Sequence, residues 1–133
     1  MGRNLLFVGA GGFIGTLCRY GVSKMIPLPD SGFPQAILLI NLAGCLFLGW
    51  FLTYCLRSTM ISAETRLFLG TGFTGAFTTF STFTVDTVEL FRNGQMLTAW
   101  LYVMLSVFGG LIMAFIGVSL GRRMGATQEG ETS

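Results

Sequence analysis

The chain has 133 residues, 52% hydrophobic and 11% charged, with a formal net charge of +2. Soluble domains carry nearer ~25% charged residues, so a soluble globular fold is excluded, and the small, dispersed charge excludes a nucleic-acid surface. There is no histidine, which removes the commonest metal ligand and the commonest general base, and nothing else in the chain suggests an enzyme. A membrane span needs about 20 apolar residues, so this length allows four spans joined by short loops, with no room for a soluble domain. Cys18, Cys45 and Cys55 are odd in number, far apart and in apolar surroundings, which reads as free thiols and not as a disulfide or a metal site.

The first span is expected over about residues 4–26. Its run is too long for a signal peptide and three more follow. Gly9, Gly12 and Gly15, with Tyr20 and Lys24, mimic a dinucleotide-binding turn and a Tyr-Lys catalytic pair. That turn needs a strand, a helix and an acidic residue on a second strand. Here Asp30 lies in a proline-rich loop, so the glycines read as helix packing, with Gly11 and Gly15 four apart admitting a close neighbour. Arg19, within or at the edge of this span, either snorkels to the headgroups or stands as a positive residue at the mouth of an anion path.

The loop PLPDSGFP at 27–34 holds all three prolines of the chain and breaks it firmly. The second span covers about 35–56. Its Asn41 has two open readings, an interhelical hydrogen bond or a donor to an anion, and Gly44 reads as a close-packing position. The polar loop RSTMISAET leads to the third span at about 66–91. After the short turn Arg92-Asn93-Gly94-Gln95, the fourth covers about 96–121. Tyr102, Ser106, Gly109 and Met113 recur there at helical spacing and form a partly polar stripe. The segment 122–133 reads as a polar, disordered tail. Arg3, Arg57, Arg66, Arg122 and Arg123 flank one side, against Lys24 and Arg92 on the other with Arg19 ambiguous, which favours cytoplasmic termini.

The third span is the unusual one. GTGFTGAFTTFSTFTVD at 70–86 carries seven Thr or Ser residues, three Gly and four Phe. In hydrocarbon each unpaired polar group costs several kcal/mol, and Gly70, Gly72, Gly75 and five Thr between 71 and 82 weaken the helix. A broken helix at membrane depth is tolerated only where protein buries it or it lines a wet cavity. Half-helix ends aim partial charges at a bound ion. An ion site on an interrupted helix is therefore expected. Phe80 and Phe83, three apart, share a face once the helix resumes, and their positively polarised ring edges sit among Thr78, Thr79, Ser81 and Thr82. Asp86 and Glu89 follow, Glu89 at the interface and Asp86 with some burial.

TGFTGAFTTFSTF at 71–83 closely resembles the signature of the small fluoride channels, the Fluc/CrcB family. The resemblance extends to GGFIGTLCRY at 11–20, NLAGCLFLG at 41–49 and GGLIMAFIG at 109–117, and so covers nearly the whole chain. It implies an all-α membrane protein of four transmembrane helices with a break in the third, forming an antiparallel, dual-topology homodimer in the bacterial cell membrane. It implies passive, fluoride-specific export along two pathways at the subunit interface. Phe80 and Phe83 fall on the family's pore phenylalanines and Asn41 on its pore asparagine. The flanking hydroxyls of Thr79, Ser81 and Thr82 and the retained Tyr102 and Ser106 complete the path, with Arg19 at its vestibule. Gly75 and Thr78 match positions whose backbone carbonyls hold a central structural Na+.

Fluoride is small and tightly hydrated, so its path must replace water with amide and hydroxyl donors, whereas carbonyl oxygens suit Na+. The chain departs from the family at several positions. Ala76-Phe77 stands where Gly-Leu is frequent, Asp86 where Glu is frequent, and Gly110 and Ala114 where a Ser and a Thr are common. The polar track of the fourth span is thinner as a result. A four-span, proton-coupled multidrug exporter is the alternative. It requires a buried acidic residue in the first span, and none stands between Arg3 and Lys24.

Overall fold

The computed structural model describes residues 1–131, with side chains through Gly125. It is all-helical: α1 Gly2–Met25, α2 Gln35–Arg57, a turn α3 Ala63–Thr65, a π-helical segment Arg66–Phe73, α4 Thr74–Phe77, α5 Phe80–Arg92 and α6 Met96–Glu131. Three stretches among the described residues, Gly2–Met25, Gln35–Arg57 and Met96–Gly125, are continuous helices long and apolar enough to cross a membrane. The third apolar segment in chain order, from Ala63 to Arg92, is assembled from short pieces.

Leu5, Leu6, Phe13 and Leu17 on α1 and Leu97, Phe108, Ile112 and Phe115 on α6 are exposed. Such a surface is untenable in water and natural in lipid. The chain is a multi-pass membrane protein.

The bundle is drawn together by small residues. A Cβ on Gly11 or Gly15 would collide with the carbonyl oxygens of Phe68 and Phe73, and one on Gly72 with the Val8 carbonyl. α1 and the 66–77 segment therefore touch backbone to backbone. The expectation of packing glycines in the first span holds. Gly44 is likewise filled from outside, by the Thr78 methyl. α2 and α6 meet in the same manner, with Gly49 against the Ala114 carbonyl, Gly117 against Leu46 and Gly121 against Trp50. Close helix approach through small residues is how membrane helices gain dispersion contacts when burial from water offers no driving force.

The proline-rich loop is ordered by a turn in which the Gly32 N–H donates to the Pro29 carbonyl at 2.8 Å, with Gly32 at φ +73°. Leu38, Leu90, Ala99 and Tyr102 form the buried core at that end, flanked by Phe33, Leu42, Phe83 and Phe91. At the other end Arg3 Nη2 donates to Glu64 Oε1 at 2.7 Å. The Glu64 carboxyl is held below the usual carboxylate range by its own backbone N–H and by Arg3.

Two differences from the sequence reading stand out. α6 does not end near Gly121 in a disordered tail but continues as helix to Glu131. No proline follows Gly121, and Gly121 and Gly125 keep the helix against Trp50 and Arg57 of α2, so nothing stops it there. The rest of the expected tail, Thr132 and Ser133, lies outside the described residues. Second, residues 66–73 are π-helical: the Thr74 N–H donates to the carbonyl of Leu69, five residues back, and its hydroxyl donates to the same oxygen at 2.8 Å. The wider turn accompanies the backbone contact with α1, since it lets Gly72 present its backbone toward Val8.

Candidate functional site

An open groove of about 540 Å³ runs along α2, the 70–83 stretch and α6. Its lining includes Asn41, Thr78, Thr79, Phe80, Phe83 and Ser106, together with Gly75. One surface thus gathers most of the residues singled out in the sequence.

The groove is organised by a change of backbone direction. α4 ends at Phe77; Thr78 is extended (φ −74°, ψ 158°), Thr79 is extended too, and α5 begins at Phe80. In an uninterrupted helix the Thr79 N–H would donate to the Gly75 carbonyl and the Thr82 N–H to the Thr78 carbonyl. Both donors go elsewhere. The Thr79 N–H donates to Asn41 Oδ1 at 2.9 Å, and the Thr82 N–H to the Thr79 hydroxyl oxygen at 3.2 Å, the N-cap of α5. The carbonyls of Gly75 and Thr78 are therefore released from their helical donors. They are also the two named for the cation from the sequence. A hard cation is held by oxygens, and a Cβ on Gly75 would find open space, so the residues present fit a Na+.

Of the two roles left open for Asn41, the structure shows the interhelical one. It bonds between helices, Oδ1 accepting the Thr79 N–H and Nδ2 donating to the Thr79 carbonyl at 3.1 Å. Because the backbone N–H can only donate, the pairing fixes which end of the amide is which. The amide has two Nδ2 protons and Thr79 takes one, and Asn41 is among the residues that line the groove.

The hydroxyls divide by task. Thr78 Oγ1 donates back to the Thr74 carbonyl at 2.9 Å. Thr79 Oγ1 donates to Thr82 Oγ1 at 3.0 Å and lies 3.3 Å from Ser81 Oγ, so Thr79, Ser81 and Thr82 form one network at the start of α5. On α6, one turn apart, the Tyr102 hydroxyl and Ser106 Oγ are buried with no hydrogen-bond partner among the described residues. Buried polar atoms are normally satisfied; of these two, Ser106 lines the groove, while Tyr102 lies behind Phe83 and, like Ser81 and Thr82, is outside the lining. One Asp86 carboxylate oxygen is also buried and unpartnered; it interacts with Tyr102 without forming a hydrogen bond of good geometry.

The phenylalanines behave differently from each other. The rings of Phe80 and Phe83 lie 5.8 Å apart at 38°, as their spacing predicts. Phe80 is 80% exposed. Phe83 is half-buried against Tyr102, centroids 5.2 Å apart. Arg19 does not line the groove; it is half-buried on α1 and makes no side-chain hydrogen bond or ion pair among the described residues. Cys45 lines the groove, and all three cysteines are free.

The sequence reading did not pick out Thr74, the one buried threonine of the π turn, or Phe33, which meets Tyr102 from the first loop. Nothing in a loop phenylalanine distinguishes it before the fold brings it to a partner.

Comparison with known sequences places these residues in a larger set. The profile described as "CrcB-like protein, Camphor Resistance (CrcB)" matches residues 6–118. A protein of Oceanobacillus iheyensis named "Fluoride-specific ion channel FluC" is 47% identical over 118 residues, covering 89% of this chain and 91% of its own. A protein of the same name from Chlorobaculum tepidum is 45% identical over 120 residues, covering 90% and 95%. "Fluoride-specific ion channel FluC 1" of Bacillus cereus is 46% identical over 122 residues, covering 90% and 85%. With the profile spanning all four apolar segments and relatives of matching length, the chain belongs to the CrcB-like family of membrane proteins.

Proposed function

We propose that the protein is a fluoride-specific ion channel that lets fluoride leave the cell passively, and that it works as an antiparallel homodimer in the bilayer. The observation that carries this reading is the groove: Phe80 and Phe83 line it together with Asn41, Thr79 and the unpartnered hydroxyl of Ser106. An anion as strongly hydrated as fluoride needs donors already in place, because assembling them on arrival would forfeit the hydration it gives up. Phenylalanine edges add positive potential without a fixed cation that would trap the ion.

In a lone subunit the groove is open and Phe80 is exposed to 80%. An exposed ring is at ease in lipid, but the Asn41, Thr79 and Ser106 groups of an open groove are not, and a second copy closing over them accounts for the arrangement. The released carbonyls of Gly75 and Thr78 would hold a Na+ in the completed channel. The chemistry of the ion is electrostatic: a fixed positive charge near the anion paths. The family's fluoride-channel relatives support the anion; the cation and the dimer rest on the exposed faces and the diverted donors.

The test is fluoride efflux from liposomes containing only this purified protein, with chloride as the control ion. Rapid fluoride loss without chloride loss is the expected result. Absence of flux from a well-folded dimer would overturn the reading of a self-sufficient channel. Flux that requires a proton gradient would favour the exporter instead.

A further inference from the structure

We propose that Phe33, in the proline-rich loop between α1 and α2, is a positioning residue for the anion path, acting through Tyr102 on Phe83. The inference rests on the channel reading above. Tyr102 is fully buried, yet its hydroxyl has no hydrogen-bond partner among the described residues. A tyrosine whose hydroxyl is bonded is oriented at its tip. At the Tyr102 tip the Asp86 carboxylate is the polar neighbour and forms no hydrogen bond of good geometry with it, so the tip is weakly held and the contacts on the ring carry the orientation.

Two rings touch it. Phe33 meets it edge-on, with centroids 5.6 Å apart and planes at 82°; Phe83 meets it at 5.2 Å and 44°. The edge-on arrangement is the one the aromatic quadrupole favours, and it fixes an angle as well as a distance. Phe83 in turn lies 5.8 Å from Phe80. A continuous line of rings therefore joins the first loop to the groove.

The loop end of that line is anchored. The Gly32 N–H closes a turn on the Pro29 carbonyl, Gln35 Nε2 donates to the Pro27 carbonyl at 2.9 Å, and Pro34 is buried. The Gln95 side chain comes within reach of Gly32 from the other loop. The backbone that carries Phe33 is thus held between a closed turn and the start of α2, which places its ring beside Tyr102. Phe33 keeps the Tyr102 ring in place, and with it the backing of Phe83 at the groove.

The full chain in liposomes provides the test, with Phe33→Ala, Phe33→Leu and Phe33→Tyr compared with the wild type. Phe33→Ala is expected to lower fluoride flux about tenfold or more, since misplacing a recognition group by about 1 Å has effects of that order. Phe33→Leu, which restores bulk without a ring, stays well below wild type; Phe33→Tyr restores flux. A second readout does not depend on transport. In protein labelled with 3-fluorotyrosine, the fluorine resonance that disappears in Tyr102→Phe is expected to move in Phe33→Leu. Wild-type flux in Phe33→Leu, or an unmoved resonance, would overturn the proposal, and this variant carries the test if Phe33→Ala does not fold. Lack of flux in the wild type would fall on the channel reading, while the fluorine resonance would still decide whether Phe33 holds Tyr102.

Discussion

The two sides of the 66–83 stretch are built on opposite principles. Toward α1 it offers glycine: Gly72 lies against the Val8 carbonyl, and Gly11 and Gly15 lie against Phe68 and Phe73. That side is closed, and its polar backbone is satisfied by helical turns, widened where needed. Toward the groove the same stretch offers hydroxyls, released carbonyls and a bare phenylalanine. Gly75 shows the contrast within one residue type, since a side chain there would meet nothing within 4 Å. In a chain this short, a single element has to be both the packing partner of one helix and the wall of a site. Sequence spacing decides which residue faces which way.

That contrast can be broken by substitution, and the largest effect is expected on the closed side. Gly72→Leu would drive a side chain into backbone that cannot yield, costing at or above about 3 kcal/mol. Loss of monodisperse protein on size exclusion is the expected outcome, and a well-folded Gly72→Leu protein would show that the α1 contact is looser than described. Next come the rings. Phe83→Ile and Phe80→Ile are each expected to abolish fluoride efflux while the protein elutes unchanged, and normal efflux in either variant would remove that ring from the path.

A smaller effect is expected at Asn41. Asn41→Ala leaves the Thr79 N–H and carbonyl without their partners, at about 1–3 kcal/mol for a buried group left unpaired. A lowered thermal midpoint should accompany reduced flux; an unchanged midpoint would mean that the amide does not hold the bend. The smallest effect on folding is expected at Gly75→Leu, where the added side chain enters open space. The subunit should stay folded while the Na+ dependence of flux weakens, and unaltered Na+ dependence would count against a cation at those carbonyls.

Much of this arrangement is legible before any coordinates. Small residues four apart in an apolar run have few uses, so Gly11 and Gly15 declare a close crossing, and Gly44 reads as a close-packing position without showing that its neighbour is Thr78. The clustering of hydroxyls with Phe80 and Phe83 marks one stretch as exceptional because hydrocarbon penalises such a mixture. What stays hidden depends on distance in space. Asn41 could have served an anion or a neighbouring helix, and only the position of Thr79, 38 residues on, decides that it bonds the backbone. The π turn is invisible because it accompanies the approach of α1, a contact in space that the order of residues does not reveal. The end of α6 was misread because a polar composition after Gly121 suggests solvent. The glycines at 121 and 125 are instead contact points that keep the helix on α2.

The length of that helix has a practical meaning. At 36 residues and about 1.5 Å per residue, α6 measures about 54 Å, against a hydrocarbon thickness of about 30 Å. Any realistic tilt leaves several turns standing clear of the bilayer as a stiff post. A reporter domain joined to it through continuous helix would inherit the orientation of the bundle with little slack. A protein otherwise almost wholly sunk in lipid would thereby gain a rigid landmark for imaging and for deciding on which side of the membrane each copy ends.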